Sequence, residues 1–165
     1  MKYMTYSIYK QGIIRGGFNP SAHCEVYHRT HNGAMSRFRG ALEYEKIVKE
    51  IICLDWATIL LDLTYGFIED KVLRYGDHPK GIPQLRFVRT MLADAPDDGK
   101  HFLVEEWMGS SGAFIKYINN GHPVSCVKAS APEEAHRISE FLCFAQHVQF
   151  DQTGGNVFTS DYQGL

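Results

Sequence analysis

The last stretch of the chain carries the residues best able to do chemistry. Val157-Phe158-Thr159-Ser160-Asp161-Tyr162-Gln163-Gly164 reads as the end of an extended strand. Side chains alternate along a strand, so Asp161 and Gln163 are expected on the face that Val157 and Thr159 share. A carboxylate beside an amide oxygen is a hard oxygen donor set. Magnesium takes such donors, and a nucleoside triphosphate arrives with that ion. By residue type alone, an aspartate before a glycine at a strand end is more often a solvated turn residue. Lys116 supplies a cation for phosphate, or is a surface lysine.

These residues need elements to position them. Met1 to Arg15, with Tyr3, Tyr6, Ile8, Ile13 and Ile14, suits an edge strand that Gly16-Gly17 breaks. His23 to Arg29 and Ala34 to Arg39 read as the arms of a hairpin about Asn32-Gly33, the dipeptide that accepts two positive φ angles. From Ala41 to about Asp70, apolar residues recur at Tyr44, Val48, Ile52, Trp56, Ile59, Leu63 and Phe67, which predicts one long, largely buried helix. A short apolar segment (Leu85 to Leu92), a solvated turn (Asp94 to Gly99) and a buried strand (His101 to Met108) follow. After the small-residue turn Gly109 to Gly112, Phe114 to Ile118 look extended. Ser130 and Glu133 form a capping-box pattern that starts a second helix, about Ala131 to Gln149, with Ile138, Phe141, Leu142, Ala145 and Val148 toward a core. Thr153-Gly154-Gly155 turns the chain into a final strand, Asn156 to Gln163. The order of strands, helix, strands, helix and strand predicts an α+β fold. No repeat or linker divides it, so residues 1–165 are expected to form one domain.

Composition narrows the function classes. With 44% apolar residues among 165, the chain is globular. Lysine and arginine number 17 against 19 acids, so no general attraction to nucleic acid is expected. Asp55 and Asp62 interrupt the longest apolar stretch, and no membrane association is expected. Cys24, Cys53, Cys126 and Cys143 lie far apart, with no CxxC pair, and the N-terminus has no secretion-signal pattern. The cysteines read as reduced thiols of a cytoplasmic protein. GxxxxGK[ST], GxGxxG, His-Arg-Asp and Asp-Phe-Gly are all absent, which excludes a P-loop and an ordinary protein kinase.

Three segments in order carry a resemblance. Phe141-Leu142-Cys143-Phe144-Ala145-Gln146-His147-Val148-Gln149-Phe150, a Gly-Gly turn and the stretch ending in Asp161-Tyr162-Gln163-Gly164 resemble the helix and Asp-x-Gln-Gly strand of the alpha-kinases, atypical serine/threonine protein kinases. Val104-Glu105-Glu106-Trp107-Met108 is similar to that family's hinge strand. Phe114-Ile115-Lys116-Tyr117-Ile118-Asn119-Asn120-Gly121 is similar to its Lys-Tyr-Asn-Asn turn. The likeness runs from about Glu50 to the end and is closest to alpha-kinase-like proteins of fungi.

The resemblance implies a kinase-like fold, with residues 1–108 as N-lobe and hinge and 109–165 as part of a C-lobe. It implies ATP and magnesium as ligands and a protein serine or threonine as acceptor. Asp161 and Gln163 would hold magnesium and phosphates, and Glu105, Glu106 and Met108 would lie against adenine. Lys116 would be a second phosphate cation. The phosphate-holding lysine and its orienting glutamate fall at Arg37 and Glu50. Arg37 departs from the family, since no lysine lies between Lys10 and Lys46, and an arginine fork holds phosphate differently from a compact ammonium. His147 matches one of four ligands of the family's structural zinc, but the other three follow the Asp-x-Gln-Gly strand there, as does the aspartate that acts on the substrate hydroxyl. A chain ending at Leu165 is therefore expected to be either a fragment of an active kinase or a non-catalytic binding module, with self-association through an incomplete C-lobe.

Overall fold

The computed structural model describes residues 11–12, 22–25, 27–29, 35–76, 79–95, 97, 99–106, 115–120 and 123–164. Among the described residues ten elements follow in order: β1 (Gln11–Gly12), β2 (Ala22–Glu25), β3 (Tyr27–Arg29), β4 (Met35–Arg37), α1 (Gly40–Tyr75), β5 (Thr90–Ala95), β6 (Lys100–Glu105), β7 (Ile115–Lys116), α2 (Glu133–Gln152) and β8 (Gln163–Gly164). Helices and small antiparallel sheets make this an α+β protein. Two compact units share it, one from Ala57–Arg86 and Ser110–Leu165, the other from Tyr6–Trp56 and Phe87–Gly109.

The second of these units is built on a four-stranded sheet in the order β1-β2-β6-β5. The β5–β6 hairpin runs in antiparallel register from Thr90↔Glu105 to Ala95↔Lys100, and β2 pairs along the other side of β6 from Ala22↔Glu105 to Cys24↔Leu103. The expected arm from His23 to Arg29 is thus split. Its first half belongs to this sheet, and only β3 pairs with β4 as the hairpin predicts, with Tyr27↔Arg37 in register. Alternation identified strand but not partner. The Asn32-Gly33 turn and most of the expected edge strand lie outside the described residues.

Ile47 of α1 and Leu103 of β6 form the core here, with Phe38, Ile51 and Leu92 packed against them. Glu43, 1% exposed, ties helix to sheet by accepting the His101 backbone N–H at 3.1 Å. His101 in turn meets Asp94 through Nδ1 at 2.7 Å and the Tyr44 ring edge-on at 5.2 Å.

In the other unit, residues 57–75 of α1 present Ala57, Leu60, Leu61 and Thr64 as a buried face. Tyr65 stacks on Phe141 of α2 at 5.5 Å, and its hydroxyl donates to the Pro83 carbonyl and accepts the Leu85 N–H, both at 2.8 Å. Burial pushes this phenol up. One hydroxyl thereby fastens the chain that leaves α1.

The long helix differs from expectation in which face it buries. Ile52, Trp56, Ile59 and Leu63, chosen for their helical spacing, are 36–55% exposed, and the buried positions lie around the helix from them. Among the described residues α1 is the one helix long and apolar enough, by length and composition, to cross a membrane.

The second helix matches its expected face, since Phe141, Leu142, Ala145 and Val148 are all buried. Its start does not match. Pro132, with φ −58° and ψ 148°, occupies the N-cap position with no side-chain cap bond, so the expected box between Ser130 and Glu133 is not formed. The helix begins at Glu133 itself, two positions too late for Ser130 to cap it. Ser130 instead belongs to a turn in which the Ala131 N–H bonds the Lys128 carbonyl at 2.9 Å.

Candidate functional site

Two short strands bring the chemically able residues together. β7 and β8 pair antiparallel with Ile115↔Gly164 and Lys116↔Gln163, which sets the 116 and 163 positions side by side. Tyr117 and Ile118 extend the pairing, both donating backbone N–H groups to the Tyr162 carbonyl, at 2.9 and 3.3 Å. Lys116 reaches across and forms an ion pair with Asp161 through Nζ and Oδ1. Their side chains are 35% and 22% exposed, so the pair is partly shielded from water. A half-shielded cation, a carboxylate and an exposed amide now occupy one small surface.

Residues 117–120 and 123–128 follow β7, and Tyr117 bonds α2. Cys126 donates its N–H to the Tyr117 carbonyl at 2.9 Å and its thiol to the Lys116 carbonyl at 3.2 Å. The Ser139 hydroxyl of α2 donates to the Tyr117 carbonyl at 3.4 Å. Lys116 therefore sits on a braced backbone. Burial pushes the Cys143 thiol up, with Glu140 acting in the same direction, which keeps this α2 cysteine protonated near neutral pH.

The approach to Asp161 is not the strand that alternation predicts. Only Gln163 and Gly164 are paired as strand, and the preceding segment takes its bonds from α2 side chains instead. Thr153 closes the C-terminal end of α2, its hydroxyl lying 2.7 Å from the Gln149 carbonyl and accepting the Val157 N–H at 3.1 Å. Thr159 is held on both sides, with Gln149 Oε1 accepting its N–H at 2.8 Å and Gln146 Nε2 donating to its carbonyl at 2.8 Å. Asp161 itself has φ +66°, a left-handed conformation uncommon outside glycine that aspartate and asparagine adopt more readily than other residues. That turn breaks the alternation on which a shared face for Asp161 and Gln163 was expected. What unites the two is the pairing of each with Lys116, one through its side chain and one through strand register.

Next to Asp161, Tyr162 is 6% exposed and its hydroxyl lies 3.4 Å from Gln149 Nε2. Burial drives its phenol up, and hydrogen bonding with the Gln149 and Thr159 side chains only partly opposes this. Gln149 Nε2 also lies 3.2 Å from the Leu60 carbonyl and 3.4 Å from the Thr64 hydroxyl. Gln146, Gln149 and Tyr162 were not singled out by sequence reasoning. Their signal is two glutamines, three residues apart, on a helix face otherwise made of Phe141, Leu142, Ala145 and Val148.

The remaining candidates belong to other elements. Glu105 ends β6 opposite Thr90, and Glu106 follows it, exchanging bonds with Arg89: the Glu106 N–H donates to the Arg89 carbonyl at 2.9 Å and Glu106 Oε2 accepts the Arg89 N–H at 3.3 Å. Met108 lies outside the described residues. Arg37 ends β4 opposite Tyr27, and Glu50 lies within α1, where its charge adds to burial in raising the Cys53 thiol. His147 is exposed on α2. Among the described residues no cluster of three or more His, Cys, Asp or Glu side chains is arranged to hold a metal, so nothing here pairs His147 with further zinc ligands. Asp161 and Gln163 still fit magnesium that arrives on a nucleotide, since that ion is commonly held by one or two carboxylates plus the phosphates themselves.

Residues 66–165, well over half the chain, match the alpha-kinase family model. No curated protein and no solved structure matches. The chain belongs to the alpha-kinase family, and its domain is thus of an atypical protein-kinase class. The matched residues include β7, α2 and β8, the elements that assemble Lys116, Asp161 and Gln163.

Proposed function

We propose that this domain binds magnesium-ATP at the Lys116, Asp161 and Gln163 cluster and passes the terminal phosphoryl group to a serine or threonine of a protein. The observation that carries the reading is the Lys116–Asp161 ion pair, formed by residues 45 apart in sequence and lying within the stretch that matches the family. Phosphoryl transfer asks a protein chiefly for positioning and for charge placed against phosphate oxygens. Lys116 offers a positive charge where phosphate would lie, and Asp161 with Gln163 offers oxygen donors beside it. Bound magnesium would neutralise the phosphate oxygens that this cluster orients. The resemblance further assigns base recognition to Glu105, Glu106 and Met108, and a second cation with its partner to Arg37 and Glu50.

Millimolar magnesium-ATP is expected to raise the melting temperature of the chain, and Asp161→Ala to abolish the rise. An unshifted wild-type curve contradicts nucleotide binding.

One residue favours a second reading, that the domain binds nucleotide or a partner without transferring phosphate. By the resemblance the family's lysine position falls at Arg37, whose planar guanidinium cannot act as the compact point charge of an ammonium. Labelled phosphate transferred to a generic acceptor, and lost in Asp161→Ala, would sink this second reading. Binding with no transfer, restored by Arg37→Lys, would support it.

A further inference from the structure

Gln149 stands out among the buried polar groups because it is fully enclosed and joins four separate places in the fold. Its side chain, 0% exposed, lies within hydrogen-bond distance of the Leu60 carbonyl, the Thr64 hydroxyl, the Tyr162 hydroxyl and the Thr159 N–H. Nε2 shares two protons among three nearby acceptors while Oε1 takes the Thr159 N–H, so the amide is fully engaged and keeps these contacts only where the surrounding backbone is fixed relative to it. Gln146, one turn earlier and 4% exposed, grips the carbonyl of the same Thr159. The two glutamines therefore hold a single residue, Gln149 at that residue's N–H and Gln146 at its carbonyl. Two residues on stands Asp161 in its left-handed conformation.

Beyond Asp161 the chain is fixed again. The Tyr162 ring is buried with its hydroxyl on Gln149, and its carbonyl receives two N–H groups from Tyr117 and Ile118. Asp161 is thus bracketed by anchors at 159 and 162, and Gln149 takes part in both. A strained backbone persists when its surroundings over-determine it, and such strain gathers where a side chain must be aimed. Here the aimed group is the carboxylate that meets Lys116.

We infer that Gln149 and Gln146 are positioning residues that clamp Thr159 and Tyr162 so that the Asp161 carboxylate is held toward Lys116 before any nucleotide arrives. The inference deepens the proposed nucleotide site and rests on that reading only for what the aimed carboxylate does. Neither glutamine touches the nucleotide. They act through the backbone of Thr159 and the ring of Tyr162, and their loss should alter the Asp161 turn while α2 remains helical. Gln146 Oε1, buried, has no hydrogen-bond partner among the described residues, so Gln146→Met removes one unsatisfied atom together with the clamp bond and is the gentler change.

Amide hydrogen exchange on the full chain tests the clamp without any ligand. In Gln149→Met and Gln146→Met, amides from 159 to 163 should exchange at least about tenfold faster, while α2 amides from 137 to 145 stay within about threefold of wild type. Unchanged exchange at 159–163, or equal acceleration of both segments in Gln146→Met, overturns the inference. If Gln149→Met unfolds the chain, Gln146→Met alone decides. A second arm measures the Kd for magnesium-ATP and for ATP with the metal chelated. The clamp predicts that the advantage given by magnesium shrinks at least about fivefold in the variants, whereas metal-free binding changes less than twofold. Variants that keep the full magnesium advantage overturn it. A wild-type chain that ignores magnesium-ATP removes the nucleotide reading instead, and the exchange result then decides the clamp by itself.

Discussion

The two helices carry similar apolar repeats and end in different surroundings. In α2, Phe141, Leu142, Ala145 and Val148 are buried. In α1, Ile52, Trp56, Ile59 and Leu63 are spaced just as regularly and stay 36–55% exposed, while Glu43, Ile47, Leu60, Leu61 and Thr64 fill the buried positions. Helical spacing tells which residues share a face, but it does not tell what covers that face. Polar residues sharpen the contrast, because α2 buries two glutamines and uses both on the segment that leads to Asp161.

Truncation separates the helices most sharply. Leu142→Ala, at 4% exposure, is expected to cost about 2–5 kcal/mol, through lost transfer energy and the cavity left behind. Trp56→Ala, at a position 53% exposed, is expected to cost about 1 kcal/mol or less despite the larger side chain. Urea midpoints of the two variants provide the comparison. Equal losses would mean that the exposed face of α1 is covered in solution.

The next effect is a pH dependence centred on Tyr162. Its phenol is raised from 10.0, so below about pH 10 both folded and unfolded chains keep the proton and the buried ring contributes fully. As pH climbs past that value the unfolded chain releases its proton first, and stability falls until the folded value is passed. Tyr162→Phe should flatten the alkaline loss seen in urea midpoints between pH 9 and 11. A residual slope from Tyr65 and Tyr117, also raised by burial, should remain. An identical slope in Tyr162→Phe would show that this ring is not held as described.

The smallest expected effect is at the start of α2. A working capping box would make Ser130→Ala cost about 0.5–2 kcal/mol, whereas the Pro132 start predicts a change within about 0.5 kcal/mol. Thermal melts of that variant separate the two.

Much of the fold is legible in the sequence, and each gap has a physical cause. Both helices follow from long stretches without proline, and the β5–β6 pair from two apolar runs about a polar turn. The partner of β2 is not legible, because Cys24 pairs with Leu103 across a sequence distance that no local pattern spans. The final strand is overestimated because an extended, apolar-rich segment looks like strand whether its backbone bonds a neighbouring strand or the side chains of a helix. At the site, Asp161 and Gln163 stand out through their resemblance to the alpha-kinase motif, and Lys116 through its place before the asparagine turn. That Lys116 reaches Asp161 is a product of β7–β8 pairing. The clamp stays hidden because a glutamine on an apolar helix face reads the same whether it bonds water or a passing chain.

The central claim, that the Lys116–Asp161–Gln163 cluster is a magnesium-nucleotide site, meets its most direct test in calorimetric titration of magnesium-ATP into wild type and Asp161→Asn. Asparagine tolerates the left-handed backbone at this position and removes only the charge. The account predicts that Kd weakens at least about tenfold, or 1.4 kcal/mol, with the fold intact. Equal affinity in the two proteins would contradict it.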